Sequence, residues 1–338
     1  MIGWRFMAAI VASAGVVTAP VRASGSIPCG TGTFLQLRQS DAARPPAGWA
    51  ALFDNLQTIG VSTVVLQWTM HGDISFVRRP ATEGSVDTSV VEQILDVADR
   101  RGVSVTIGLI EDPGFWTAIG NAGETERYLQ SARVELERLL PDLVPIAARH
   151  RSFAGWYITQ EIDDVNWREP RPRRILTEHL AALTARLRRA AVRPVPIAIS
   201  GFTNQTMEPE ALASFWSSLM SDADIDVLLF QDGVGAGKLT LPSLPRYAAA
   251  LYRAVVNARR QIRIVTELFD QVDGAPLNER PFAAVPAAFD RVRQQSGIAV
   301  AYSTLPPMTF SAPDYMVPSA GRAASALFQT YAANLSCR

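Results

Sequence analysis

The sequence contains very little lysine, histidine or cysteine. Lys238 is the only lysine among the 338 residues, so a catalytic amine would have to be this residue or the N-terminus. The three histidines, His71, His150 and His179, are scattered along the chain, which argues against a zinc or iron site built from histidine. We therefore expect neither a metal nor a cofactor.

Several motifs and charge patterns are also absent. The sequence contains no G-x-S-x-G segment, the motif that would predict a serine nucleophile. It also has no G-x-G-x-x-G segment after the first predicted strand. The glycine-rich segment 233–237 is not a P-loop. The formal net charge is zero, which gives no electrostatic reason to expect nucleic acid as a partner. With 48% hydrophobic and 19% charged residues, the chain can nevertheless bury a large core.

A long apolar stretch occurs only near the N-terminus. Arg5 precedes the apolar segment 6–17, and Val21-Arg-Ala23 offers a small-x-small cleavage site. This stretch is short for a membrane span. We therefore predict a secretory signal peptide over residues 1–23 and a mature domain over residues 24–338. The expected protein is a periplasmic or secreted monomer, with no stable membrane insertion after cleavage.

The two cysteines lie near opposite ends of the predicted mature chain. Cys29 comes just before the first predicted strand, and Cys337 is the penultimate residue. The first strand and the last helix are neighbours in a closed barrel, so we predict a disulfide between them; two unrelated thiols are the alternative. Such a bond persists in the periplasm or outside the cell and would stabilise the fold by about 2–4 kcal/mol.

Strand-like and helix-like segments alternate along the whole chain. Alternation of this kind predicts an α/β protein with a parallel sheet, and eight units fit a single (β/α)8 TIM barrel better than a doubly wound sheet. The predicted helices are 49–59, 86–101, 124–149 (with a break near Pro141 and Pro145), 173–191, 209–220, 244–260, 281–295 and 321–334. The predicted strands are 31–37, 61–68, 103–110, 153–161, 195–200, 226–231, 262–267 and 298–303.

Two glutamates close the fourth and seventh predicted strands. Glu161 ends the fourth strand and Glu267 ends the seventh, and strand alternation turns both toward the barrel interior together with Tyr157. All strand C-termini surround one mouth of such a barrel, where active sites lie. A carboxylate pair at that mouth can cleave a glycosidic bond. The alternative is that each glutamate only pairs with an arginine at the rim.

Other acids near the predicted mouth are rivals for the acid role. Asp163 and Asp164 follow Glu161, and Asp232 ends the sixth strand next to a glycine. We expect Asp232 to lie in the site without taking part in covalent chemistry. Glu111 and Asp112, at the end of the third strand, are more typical of loop capping.

Aromatic and amide side chains at the strand ends suit a carbohydrate ligand. Sugar C–H faces stack on aromatic rings, and sugar hydroxyls need amide or carboxylate partners. Core packing is the alternative for any tryptophan, and it fits Trp49, Trp156 and Trp216 best. The predicted substrate-binding residues are Gln67, Trp68, His71, Trp116, Tyr157, Gln160, Asp163, Trp167, Gln231, Asp232 and Phe269.

Four segments carry a resemblance to a known family: 65–68, 155–163, 230–235 and 266–269. Over residues 31–310 the chain resembles bacterial (β/α)8 barrels that form a domain family of unknown function grouped with glycoside hydrolases. More distantly, it resembles the glycosidase clan whose catalytic acids follow strands four and seven. This resemblance implies Glu161 as acid/base and Glu267 as nucleophile. The chain departs from the clan pattern with Gln160 in place of asparagine, and with Gln231 and Asp232 near a position where the clan often has tyrosine.

The sequence-based hypothesis is therefore a retaining glycosidase acting on a polysaccharide or oligosaccharide. A first alternative is a non-catalytic glycan-binding barrel associated with exopolysaccharide handling. A second alternative is a lyase that forms a Schiff base on Lys238, which lies several residues beyond the sixth predicted strand.

Overall fold

The computed structural model describes residues 27–28, 32–77, 89–120, 122–267, 269–271, 282–284, 309–310, 328–329, 332–333 and 335–336. The helices of ten residues or more within these ranges are α1 (Pro46–Thr58), α2 (Val90–Arg101), α3 (Ala122–Arg149), α4 (Pro170–Ala190), α5 (Pro209–Asp222) and α6 (Leu244–Asn257). Eight strands belong to the main sheet: β1 (Gly32–Leu35), β2 (Thr63–Leu66), β3 (Ser104–Gly108), β4 (Phe153–Ile162), β5 (Ile197–Gly201), β6 (Val227–Gln231), β7 (Gln261–Thr266) and β8 (Thr309–Phe310).

The main sheet is parallel and curls round on itself. Its strands are hydrogen-bonded in the order β6, β7, β8, β1, β2, β3, β4, β5, and β5 pairs in turn with β6. The predicted α/β class with a curled parallel sheet is therefore confirmed. The predicted eighth strand, 298–303, lies outside the described residues; the two-residue β8 occupies the place between β7 and β1.

Local sequence signals explain where several helices begin and end. Ser89 caps α2 by accepting a hydrogen bond from the Glu92 amide, and Gly102 ends it in the left-handed conformation at φ 65°. Proline occupies the first position of α1, α4 and α5, where no amide hydrogen is needed. The predicted break in α3 is wrong: the helix runs through Pro141 and Pro145 without interruption.

The core has two layers, one inside the sheet and one between the sheet and the helices. The outer layer contains Trp49, Trp156 and Trp216, all buried as the packing interpretation predicted. The inner layer is a small apolar cluster made by residues from alternate positions of the strands: Phe34, Val65, Tyr157, Ala198, Val227, Leu229 and Val265. Because these side chains fill the interior, a ligand can enter only at an end of the sheet.

Short strands add three small sheets. Met70–His71 pairs with Ile74–Ser75 and with Ile110–Glu111, beyond the ends of β2 and β3. Phe269–Gln271 pairs antiparallel with Phe282–Ala284, so the predicted helix 281–295 is wrong at its start. Ile27–Pro28 pairs parallel with Leu335–Ser336. No helix in the described ranges is long and apolar enough to span a membrane; the predicted signal peptide lies outside those ranges.

Candidate active site

Glu161 lies at the C-terminal end of β4, where the strand makes an irregular step. The β4–β5 register passes from Ile158 opposite Ile199 to Ile162 opposite Gly201, so β4 contains two extra residues. Irregular steps of this kind bend a strand and re-aim its side chains. An even insertion preserves alternation, and Glu161 therefore stays on the same side of the sheet as Tyr157.

Glu161 is held by an amide from a neighbouring strand. Gln231, the last residue of β6, donates from Nε2 to Glu161 Oε1 over 2.7 Å. Burial raises the pKa of Glu161, and the hydrogen bond from Gln231 opposes that shift because it favours the ionised form. The carboxyl group is thus biased toward holding a proton while one of its oxygens is fixed in position.

Glu267 directly follows β7 and is only 2% exposed. Its Oε2 accepts a hydrogen bond of 2.8 Å from the Ala236 amide. Burial raises the pKa of Glu267 to about 8; the charges of Asp232 and Glu161 act in the same direction, while amides of Ala236 and Gly235 oppose it. The charge of Glu161, on strand four, therefore affects the ionisation of Glu267, at the end of strand seven.

Asp232 supports the loop that carries the amides facing Glu267. It is fully buried, and its Oδ1 accepts from the Val234 amide at 3.1 Å and from the Glu267 amide at 3.4 Å. Gly233 is left-handed at φ 62°, which tightens the turn after Asp232. Asp232 therefore lies next to Glu267, but its side chain is fully buried, and its predicted contact with a ligand stays a prediction.

Glu111 is a third carboxyl group at this end of the sheet, and the loop-capping role predicted for it is wrong. It lies in the strand Ile110–Glu111, and burial, followed by the charges of Glu161 and Asp112, raises its pKa to about 8. The cap is made by Asp112 alone, which accepts from the Gly114 amide at 2.8 Å. The short sheet formed with Met70–His71 turns Glu111 toward Glu161, and sequence alternation alone gives no sign of that sheet.

Most of the predicted ligand-binding side chains are at least partly accessible. Trp116 is 42% exposed, whereas Gln67, Trp68, His71, Gln160 and Gln231 are partly buried. The Trp68 indole donates to the Leu37 carbonyl and packs at 4.9 Å from the His71 ring. Phe269 lies in a described strand, but its side chain is outside the described part of the structure.

Three predicted ligand-binding residues are corrected by the structure. Trp167 is fully buried in the outer core, so its ring cannot stack on a sugar. Tyr157 is fully buried in the inner cluster, where its hydroxyl is 2.6 Å from Ser200 Oγ. Asp163 is buried and accepts from the Val165 and Asn166 amides, so it organises its own loop. Asp163 and Trp167 lie in the loop after β4, which folds back onto the barrel, whereas Tyr157 lies within β4 with its side chain in the inner cluster.

Asp164, a rival for the acid role, instead joins two loops at the mouth. It is fully buried and accepts hydrogen bonds from the Thr203 hydroxyl and from the amides of Asn204, Thr206 and Met207. All its acceptor capacity is therefore directed at the chain after β5. Within the described residues, no cluster of three or more His, Cys, Asp or Glu side chains has the geometry to hold a metal ion.

Sequence and structure comparisons relate the chain to proteins of unknown and of carbohydrate-directed function. "Uncharacterized protein YbcH" of Escherichia coli K12 is 29% identical over 226 residues, which cover 65% of this chain and 70% of that protein. The crystal structure of a "putative alpha-L-fucosidase" from Bacteroides thetaiotaomicron superimposes with a TM-score of 0.70 at 18% identity, covering 95% of this chain and 98% of the other. A GH18 chitinase from Pseudoalteromonas aurantia gives a TM-score of 0.48 at 13% identity, covering 90% and 100%.

The fold is thus that of glycoside hydrolase barrels, as the sequence resemblance predicted. The family model described as "Domain of unknown function (DUF4434)" matches residues 31–322, nearly the whole described part of the chain. The chain belongs to the DUF4434 family.

Proposed function

We propose that the protein is a retaining glycoside hydrolase built on a complete (β/α)8 barrel. The observation that carries the proposal is that Glu161 and Glu267 lie at the ends of strands four and seven, close enough for the charge of Glu161 to raise the pKa of Glu267. The structural similarity to a protein described as a putative α-L-fucosidase supports a carbohydrate substrate. The substrate is an oligosaccharide or polysaccharide.

The surroundings of the two carboxyl groups favour different roles for them. Backbone N–H groups only donate hydrogen bonds, so the amides of Ala236 and Gly235 stabilise ionised Glu267 as the nucleophile. Glu161 receives one side-chain amide at Oε1, which leaves Oε2 able to carry a proton. Glu161 is also the more exposed of the two, as a group that must reach the leaving-group oxygen requires.

The reaction then proceeds by double displacement. A Glu267 oxygen attacks the anomeric carbon while Glu161 donates its proton to the departing glycosidic oxygen, which gives a glycosyl ester and a free alcohol. Ionised Glu161 next removes a proton from water, and the resulting oxygen nucleophile displaces Glu267 from the anomeric carbon. Glu161 ends protonated and Glu267 ionised, as at the start.

The test is hydrolysis of a broad panel of aryl glycosides and oligosaccharides by matched variants. We expect Glu161→Gln and Glu267→Gln each to lower kcat by at least a thousandfold, because each removes a group that acts only in the transition state. Glu178→Gln on α4, an exposed glutamate paired with Arg174, is the matched control and should retain activity. Full activity in either active-site variant would remove that residue from the mechanism.

One observation favours the alternative of a non-catalytic glycan-binding barrel. Glu267 is 2% exposed, so a sugar reaches it only if the cavity opens. The same panel separates the two functions, since a binding protein would retain its glycan affinity and show no turnover in the wild type.

A further inference from the structure

A second group of side chains lies at the same mouth, beyond the carboxyl cavity. Trp116 is in the short helix Phe115–Ala118 after β3, Phe202 follows β5, and Lys238 follows β6. The Trp116 and Phe202 ring centroids are 6.0 Å apart, and Lys238 Nζ lies 5.6 Å from the Phe202 centroid. We call these three residues the rim cluster.

The ammonium group of the rim cluster is fixed in place. Lys238 Nζ donates to Asn204 Oδ1 over 2.8 Å, and the Lys238 carbonyl accepts from Gln205 Nε2 over 2.7 Å. The Lys238 amide donates to the Gly233 carbonyl over 2.7 Å. Lysine is otherwise a flexible side chain that loses considerable entropy when it is ordered.

The loop that holds the lysine is itself braced. The four hydrogen bonds to buried Asp164 hold residues 203–207 in a compact turn. Gln205 adopts the left-handed conformation at φ 61°, which is unfavourable for a residue with a side chain. A strained backbone conformation persists where the surrounding contacts enforce it. Here the side-chain amide of Gln205 donates a hydrogen bond to the backbone carbonyl of Lys238.

The positive charge of the rim cluster has no carboxylate partner among the described residues. Several arginines elsewhere in the described ranges do pair with acids; Arg188, for example, pairs with Asp224 and Asp226. Lys238 forms no ion pair within the same described ranges and keeps two of its three donor hydrogens for another partner. Trp116 beside it exposes 42% of its surface, the largest exposed aromatic side chain described.

We propose that the rim cluster is a subsite for an acidic sugar residue, one that carries a carboxylate, sulfate or phosphate group. The sugar ring stacks on Trp116 while its anionic group accepts hydrogen bonds from Lys238. This inference rests on the proposed function, from which we take the ligand to be a saccharide; it adds that the saccharide is acidic. A neutral sugar would stack on the indole of Trp116 but would leave the ammonium group of Lys238 without an anionic partner.

The test compares binding of charged and neutral oligosaccharides by calorimetry, with the Glu161→Gln variant so that no probe is consumed. The probes are uronate tetrasaccharides from pectate and alginate, their carboxyl-reduced neutral counterparts, and a sulfated tetrasaccharide from heparin. We expect at least one acidic probe to bind ten times more tightly than the neutral set, with an affinity that falls as salt rises. Because the heparin probe carries both sulfate and carboxylate groups, binding of heparin without binding of the uronate probes would indicate a sulfate.

Two variants test whether the rim cluster causes the preference for acidic over neutral probes. Lys238→Met should reduce the affinity for the acidic probe to that for the neutral one, and Lys238→Arg should restore most of it because the charge is kept. Arg174→Met on α4 is the matched control, an exposed cation paired with Glu178 that should change nothing. Equal binding of acidic and neutral probes, or discrimination that survives Lys238→Met, overturns the proposal.

The outcomes also separate this inference from the proposed function. If an acidic probe binds tightly but the wild-type protein never cleaves it, the result would support the rim subsite and contradict the proposed hydrolase activity. Hydrolysis of glycans by a protein that binds acidic and neutral probes equally well would support the hydrolase and contradict the subsite.

Discussion

At the scale of single residues, the candidate active site contains more carboxyl groups than its sequence suggests. Glu161 and Glu267 are predictable because each closes a β-branched, apolar strand. Glu111 is not, since its position depends on pairing of Ile110–Glu111 with Met70–His71, a contact made only after β2 and β3 lie side by side. Burial then places the pKa of both Glu111 and Glu267 at about 8.

The raised pKa of Glu267 predicts an unusual pH dependence. In the proposed mechanism Glu267 must be ionised to act as the nucleophile, so kcat/KM of the wild type should fall as pH decreases through about 8. Asp232→Asn removes one of the charges that raise this pKa and keeps the Oδ1 acceptor used by the Val234 and Glu267 amides. We expect the acidic limb of the kcat/KM profile to move to lower pH by about one unit. A limb that moves upward or does not move would contradict the charge of Asp232 as its cause.

At the scale of secondary-structure elements, the sequence predicts which segments exist better than it predicts their ends. Strands β1 to β7 appear near their predicted positions because apolar and β-branched runs mark them, whereas β8 (Thr309–Phe310) lies outside every predicted strand. Predictions fail where tertiary contacts override local preference: α3 stays helical through two prolines, and Phe282–Ala284 forms a strand with Phe269–Gln271. The extra residues of β4 are also invisible until β4 is aligned with β5.

The packing of α3 against α4 predicts an acid-sensitive contact. His179 on α4 is buried with Nδ1 3.2 Å from an Arg133 guanidinium nitrogen on α3. Burial, and then the charge of Arg133, lowers the pKa of His179 to about 3. The unfolded chain takes up this proton near pH 6.5 and the folded one does not, so folding free energy is lost as pH falls from about 6.5 toward 3.

Denaturant unfolding at two pH values measures this contribution. Between pH 8 and pH 5 the His179 contribution should lower the free energy of unfolding by roughly 2 kcal/mol. His179→Gln has no titratable group, so the difference between the two pH values should shrink by about that amount. Glu178→Gln, the exposed neighbour, serves as control; an unchanged pH difference in His179→Gln would show that another group carries the effect.

At the scale of the whole molecule, the structure brings the two ends of the described chain together. Pro28 lies opposite Ser336 in a parallel ladder. In the sequence, Cys29 directly follows Pro28 and Cys337 directly follows Ser336, so this ladder supports the proposed disulfide. The cysteines themselves lie outside the described residues, so the disulfide and the oxidising periplasmic or extracellular location remain proposals.

Reduction tests the proposed disulfide. We expect dithiothreitol, or the double variant Cys29→Ser with Cys337→Ser, to lower the free energy of unfolding by about 2–4 kcal/mol while leaving the active-site geometry intact. Mass spectrometry of the protein isolated without reductant should show one Cys29–Cys337 cross-linked peptide. Two free thiols in that sample would count against the disulfide, and the double variant is then expected to unfold at the wild-type denaturant concentration.

The ladder between Ile27–Pro28 and Leu335–Ser336 also makes the chain suitable for circular permutation. Because the two strands are parallel, a peptide joining the old ends has to run back over only about two residues of strand, roughly 7 Å. New ends could then be opened in an exposed loop on the face away from the mouth, such as the turn at Val192 between α4 and β5. The order in which the strand–helix units are synthesised would change, while every neighbour in the sheet stayed the same.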